Sequence, residues 1–323
     1  MTLKQNILAA LEADREQAIS GQALAEKLGV SRNAIWKAVN TLRDEGYDIQ
    51  SAPSRGYQLS PVCDRLSEGA IRSLMAQPAP PVHVLDSVDS TNRYARKLLA
   101  ENHTAPFVVA AETQTAGRGR YGRSFYSPAG GLYLTIALAP HKRMESLLGF
   151  TACAAVCVSE AIRRATDRVP LIKWVNDLYF NQRKICGILT EAAADFESGI
   201  VDSLLIGIGI NLRPAPLPNS LQDVIGFVGG EEPLKNRLAA DIADGLIACH
   251  PEDPEVLTLY RSRSMTIGRP VRVTQGEKTI TGIAITVDKI GALVVRGDDG
   301  KLHTLRSGEV TVLNASSPSA SQE

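Results

Sequence analysis

Gln114-Thr115-Ala116-Gly117-Arg118-Gly119-Arg120-Tyr121-Gly122-Arg123 holds three glycines, three arginines and no acid. Glycine lets a backbone take positive φ and approach a ligand closely. Arginine adds a fixed, forked cation that matches phosphate and carboxylate. The composition suits a loop that closes over an anion; an arginine-rich surface loop is the plainer alternative. The stretch also spells G-x-G-x-x-G through Gly117, Gly119 and Gly122. In a dinucleotide fold that pattern follows a strand, opens a helix and has an acid about 20 residues on. The strand is present as Phe107-Val108-Val109-Ala110-Ala111. The helix is not: Ser127-Pro128-Ala129-Gly130-Gly131 breaks the chain, Leu132 to Leu138 reads as another strand, and the next acid is Glu145. A Rossmann site is therefore excluded, and a strand–loop–strand anion clamp takes its place.

Upstream, Val82 to Leu85 reads as a strand and Arg93 to Glu101 as a helix. Between them lies Asp86-Ser87-Val88-Asp89-Ser90-Thr91-Asn92. Asp89 or Ser90 suffices to cap the helix, so the remaining short polar side chains suggest a ligand with several donors and acceptors. Downstream, a long helix spans about Arg143 to Thr166. Ile172-Lys173-Trp174-Val175 and Leu178-Tyr179-Phe180 flank a turn at Asn176-Asp177, and Arg183 to Glu191 forms the next strand. Lys184 sits in that otherwise apolar strand, as a solvated edge lysine or as one aimed at a bound anion. Ser203 to Asn211 is a buried strand whose glycines mark a close approach.

The first 62 residues have their own pattern. Leu3, Ile7, Leu8 and Leu11 share one face of a helix over 3–17. Ser20 caps a second helix that Gly29 ends, and Ser31 caps a third that buries Ile35, Ala38, Val39 and Leu42. Two helices joined by a Gly-Val-Ser turn make a helix-turn-helix with Arg32 to Thr41 as recognition helix. Residues 48–51 and 56–59 around Pro53-Ser54-Arg55 add a wing. Seven basic and seven acidic side chains balance over residues 1–62, so a helical adaptor is the competing reading. Ser31, Arg32, Asn33, Lys37, Asn40 and Arg55 are the candidate DNA contacts, with Arg43 nearby.

Pro61, Pro78, Pro80 and Pro81 mark a linker with a short helix. Two helices near 234–249 and 254–262 precede an all-β segment from Gly268 to Leu313 that reads as a small SH3-type barrel. Ala315 to Glu323 reads as a disordered tail. Lys+Arg and Asp+Glu both total 35, so no global field recruits nucleic acid or membrane. Five cysteines without a C-x-x-C pair argue against zinc and for a reducing compartment. Cys153 and Cys157 read as small core residues. No signal peptide or spanning run is visible, so a soluble cytoplasmic protein is expected.

The chain resembles the bifunctional biotin–protein ligase/biotin operon repressor family over nearly its whole length. The shared motifs are Asp89-Ser90-Thr91-Asn92, Gln114 to Arg123, Lys173-Trp174-Val175-Asn176-Asp177, Arg183 to Leu189 and Gly207-Ile208-Gly209-Ile210-Asn211. The resemblance implies an α+β protein in three parts. These are a winged helix-turn-helix over 1–62, a mixed-sheet ligase core of class II synthetase type over 63–265, and an SH3-like C-terminal β-barrel over 266–314, before the tail at 315–323. It implies that biotin and MgATP give biotinyl-5′-AMP, and that a lysine of a biotin carboxyl carrier domain, from acetyl-CoA carboxylase or a related carboxylase, then takes the biotinyl group.

By the same resemblance, Ser90, Thr91, Asn92, Gln114, Arg118, Gly119, Arg120 and Lys184 hold biotin. Gly117, Arg120, Arg123, Phe125, Lys173, Asn176, Asp177 and Asn211 lie on the nucleotide side. Lys184, Arg118 and Arg120 carry the chemistry. No prosthetic group and no protein-built transition-metal site is expected. The adenylate is expected to favour a homodimer that binds operator DNA. Val175 departs from the proline usual at its position, restoring an N–H. A regulator that only senses biotin or its adenylate, and a ligase for a related acid such as lipoate, remain the alternatives.

Overall fold

Alternation of apolar side chains decides how the central sheet is covered. The computed structural model of the chain describes residues 2–52, 56–144, 147–194, 200–230 and 233–313. Arg55, expected on the wing, and the tail over 315–323 lie outside the described residues. The central sheet has eight strands. They are β3 (Val82–Leu85), β4 (Phe107–Ala111), β5 (Leu132–Leu138), β6 (Lys142–Arg143), β7 (Leu171–Lys173), β8 (Asp177–Phe180), β9 (Arg183–Ala194) and β10 (Ile200–Ile210). They run in the order β3-β4-β5-β10-β9-β8-β7, with β6 paired to β10. β3 and β4 are parallel and the other pairs antiparallel, so the sheet is mixed.

Successive strand residues face opposite sides. On β10, Leu204, Ile206, Ile208 and Ile210 join the larger core. There they pack with α6 (Leu147–Thr166), α7 (Lys235–Ala248) and α8 (Pro254–Ser262). The intervening Leu205 joins a smaller core with Phe107, Val109 and α5 (Thr91–Ala100). Gly207 and Gly209 have the same parity as Leu205 and leave that face open. Arg143, expected to begin the long helix, instead pairs with Ile200, as Lys142 does with Val201, to form β6, and α6 is described from Leu147. Cys153 is a buried core residue, as expected, and is joined to Cys249 in a disulfide between α6 and the end of α7 that the sequence reading did not include.

The N-terminal module packs α1 (Leu3–Ala13), α2 (Gly21–Leu28), α3 (Arg32–Asp44), β1 (Ile49–Ala52) and β2 (Gly56–Leu59) around Ile7, Leu11, Leu24, Ile35 and Leu42. Helix α1 ends four residues before the expected position 17. A short helix, α4 (Glu68–Leu74), joins the module to the core. The C-terminal segment forms β11 (Pro270–Gln275), β12 (Lys278–Val287), β13 (Leu293–Gly297), β14 (Leu302–Leu305) and β15 (Glu309–Val312). They form an antiparallel sheet in the order β14-β13-β12-β11-β15. Among the described residues no ladder joins β14 to β15, so the segment expected as an SH3-like barrel is described as an antiparallel sheet in which closure is not detected. β14 carries little apolar signal and does not stand out in the sequence. No helix among the described residues is long and apolar enough to cross a membrane.

Candidate active site

The open face of β9 and β10, the glycine/arginine loop and the start of β15 enclose a cavity of about 340 Å³. Its walls include Ser90, Thr91, Asn92, Gln114, Arg118, Gly119, Arg120, Arg123, Phe125, Lys173, Asn176, Asp177 and Lys184. Gly117 and Asn211, expected on the nucleotide side, do not line it. A Cβ on Gly117 would meet the Phe125 carbonyl at 2.5 Å and Ser127 Oγ at 2.6 Å, so this glycine lets the loop fold on itself. Asn211 is buried and its amide donates to the Lys184 carbonyl at 3.3 Å.

Polar groups at one end belong to the start of α5. Ser90 makes no side-chain capping bond. Asp89, the other expected cap, accepts from the Ser90 N–H at 2.6 Å and pairs with Arg93. The capping acceptor is Gln114 Oε1, which takes the Thr91 N–H at 2.9 Å and the Thr91 hydroxyl at 3.2 Å. Gln114 Nε2 donates to Ser127 Oγ at 3.0 Å. The Asn92 amide is buried: Oδ1 accepts from Thr135 at 2.6 Å and Nδ2 donates to Glu191 at 2.8 Å. Thr135, Glu191 and Ser127 hold these side chains yet carried no signal in the sequence, since each lies far from its partner along the chain.

The glycines of β9 and β10 have a definite job. Gly187 pairs with Gly209 across the two strands. A Cβ on Gly209 would overlap the Phe125 ring, one on Gly187 would stand 3.0 Å from it, and one on Gly207 would overlap the Asn92 amide. The close approach expected along this strand is thus made by two of the chain's own side chains. Phe125 thereby packs against the two glycine-bearing strands, its ring centroid 5.9 Å from Lys184 Nζ.

At the other end the charges gather. Lys184 is not unpaired: Nζ lies 2.7 Å from Asp177 Oδ1 on the neighbouring strand. A register shift between Leu178 and Tyr179 brings the two side chains together. Burial pushes the Lys173 ammonium below its ordinary value; Asp177 opposes this and Lys184 adds to it. Asn176 donates to the Ile188 carbonyl at 2.6 Å and accepts from Arg120 at 3.3 Å. The Trp174–Val175 peptide bond is cis. Trp174 is held by its N–H to Thr266 at 3.0 Å and its indole to the Gly291 carbonyl at 2.9 Å, and Tyr260 donates to the Val175 carbonyl at 3.2 Å.

The C-terminal sheet completes the wall. Arg123 grips Glu309 with two bonds of 2.7 and 2.6 Å, and Arg120 reaches the Gly308 carbonyl at 3.5 Å. Hydrogen bonds from Arg123 hold the Glu309 carboxyl below the usual glutamate range, with the ion pair adding to them against some desolvation. Gly308 and Glu309 were not foreseen, because nothing local marks a C-terminal strand as part of a cavity whose Arg123 lies 186 residues upstream of Glu309. In the N-terminal module, Arg32, Asn33 and Lys37 are exposed on α3, while the Ser31 hydroxyl caps the helix at Ala34. Arg43 turns away to the Ile49 carbonyl at 2.8 Å.

A helix-turn-helix joined to a mixed-sheet core, with a cationic loop over a cavity shared with a C-terminal sheet, defines a class: ligase-type enzymes fused to a DNA-binding module. Residues 84–211 match the biotin/lipoate A/B protein ligase family, residues 4–58 an HTH domain, and residues 266–313 the biotin protein ligase C-terminal domain. The bifunctional ligase/repressor BirA of Bacillus subtilis is 31% identical over 93% of this chain and 95% of its own length. That of Escherichia coli is 33% identical over 92% and 93%. The biotin protein ligase of Aquifex aeolicus in complex with biotin and ATP superposes with a TM-score of 0.60 at 26% identity, over 73% of this chain and 99% of that one. The chain belongs to the bifunctional biotin–protein ligase/repressor family.

Proposed function

We propose that the chain joins biotin to ATP as biotinyl-5′-AMP, passes the biotinyl group to a lysine of a carboxylase carrier domain, and represses transcription from operator DNA. The observation that carries the enzymatic part is the convergence of Lys184, Arg118 and Arg120 on one cavity with Gln114 and the start of α5. In the first step a carboxylate oxygen of biotin attacks the α-phosphorus, and the bond to the β-phosphate oxygen breaks, releasing pyrophosphate. Two anions must meet, so charge repulsion opposes the approach. Arg118, Arg120 and Lys184 offset it, and most where charge builds on the phosphoryl oxygens. In the second step the carrier lysine attacks the acyl carbon and AMP leaves. The chain needs no nucleophile of its own.

In this reading Ser90, Thr91, Asn92 and Gln114 surround the ureido end of biotin, Phe125 offers its face to the adenine, and Asn176 and Asp177 serve the nucleotide with its Mg²⁺. The functional units are 1–62, 63–265 and 266–314, and the protein works in the cytoplasm. The adenylate promotes a homodimer that spans two half-sites. Sedimentation with biotin and MgATP should show the dimer; a monomer at all concentrations argues against it.

The deciding experiment is transfer of labelled biotin to a carrier domain, with Lys184→Gln run beside the wild type and lipoate as competitor. Transfer by the wild type alone supports the ligase. Tight biotin binding without transfer would make the chain a sensor-regulator, and efficient lipoate transfer would change the substrate.

A further inference from the structure

Trp36 is 55% exposed although it lies on a helix with a well-filled core face. Helix α3 buries Ile35, Ala38, Val39 and Leu42 on one side. Trp36 stands on the other, one turn from Arg32, Asn33 and Asn40 and next to Lys37. Among the described residues, the side chains of Arg32, Asn33, Trp36 and Lys37 make no hydrogen bond or ion pair. A single exposed apolar side chain is ordinary on a protein surface. This one is at the centre of the recognition helix, between two cations, and no acid occurs from Arg32 to Arg43.

The charge balance of the module sharpens the point. Phosphate contacts supply most sequence-independent affinity, and residues 1–62 carry as many acids as bases. Binding must then draw more on base edges. In the major groove the thymine methyl is the apolar mark, and an indole can pack on it while its N–H reaches a base acceptor or phosphate. We propose that Trp36 is a specificity-determining residue that reads thymine methyl groups at the centre of each half-site. This rests on the repressor reading above.

The test uses the full chain with biotin and MgATP and a randomised duplex library. Wild type should enrich a site, and replacing its central thymines by uracil should weaken binding roughly tenfold. Trp36→Ala should lose about as much on the thymine site and nothing further on the uracil site. Trp36→Phe, which keeps an apolar ring, should retain most of the preference, and biotin transfer should be unchanged in both variants. Equal affinity of Trp36→Ala and wild type for the selected site overturns the proposal alone, as does additive loss from the two changes. Failure of the wild type to enrich any sequence overturns the repressor reading and the proposal with it.

Discussion

Lys184 is the side chain on which the proposed adenylation step turns most directly. Its ammonium rests 2.7 Å from Asp177 Oδ1 on the neighbouring strand. Lys184→Gln should keep the fold and lower the rate of adenylate formation by at least about 10²-fold, the scale seen when one transition-state donor is removed. Near-normal single-turnover synthesis would remove Lys184 from the mechanism. Glu309 is a second such residue. Its carboxyl is held below the ordinary range by Arg123, so the attraction is complete above about pH 4.3, the free glutamate value, and fades as pH falls through the lowered one. Adenylate dissociation should therefore accelerate as pH drops below the glutamate range, and Glu309→Gln should dissociate fast with no such dependence. Both groups are half exposed, so salt should weaken the effect.

At the level of elements, β10 shows how a strand can serve two purposes. Its even-numbered residues, Leu204 to Ile210, are core; its glycines are clearance for Asn92 and Phe125. Gly209→Ala would force the Phe125 ring off the sheet. Overpacking of this kind costs roughly 1–3 kcal/mol; if it falls on the bound ring position, the KM for ATP should rise about tenfold or more while the thermal midpoint changes little. An unchanged KM would show that the ring takes no part. The start of α5 makes a related point. Asp89 and Ser90 look like caps in the sequence, yet Gln114 takes the Thr91 N–H, because the glycine/arginine loop returns to lie against the helix.

At the scale of the whole molecule, a buried polar clamp ties the segment that follows the N-terminal module to the rest of the ligase core. Lys235 of α7 pairs with Glu112, just before the glycine/arginine loop, and the two side chains are only 7% and 14% exposed. Glu112 also accepts from the Leu66 N–H at 2.7 Å, and Asp64 accepts from the Lys235 N–H at 2.8 Å. Desolvation raises the Asp64 carboxyl above its ordinary value, against the pull of Lys235 and Arg213. Lys235→Met strands Glu112 and should cost about 3–5 kcal/mol in urea unfolding; a loss within experimental error would show that Glu112 finds another partner. Much of the molecule was legible beforehand. Periodicity in α1 to α3, alternation in β4 and β5, and glycine spacing in the loop and β10 are local signals. They specify the elements and the helix-turn-helix module, because burial of one face dictates them residue by residue; the polar side chains that line the cavity were legible only through the resemblance to the family's motifs. The pairing of Lys184 with Asp177, the capping of α5 by Gln114, the Cys153–Cys249 link, the strand order of the C-terminal sheet and the grip of Arg123 on Glu309 depend on which distant groups come to lie together. No local pattern encodes that proximity, and only the folded chain decides it.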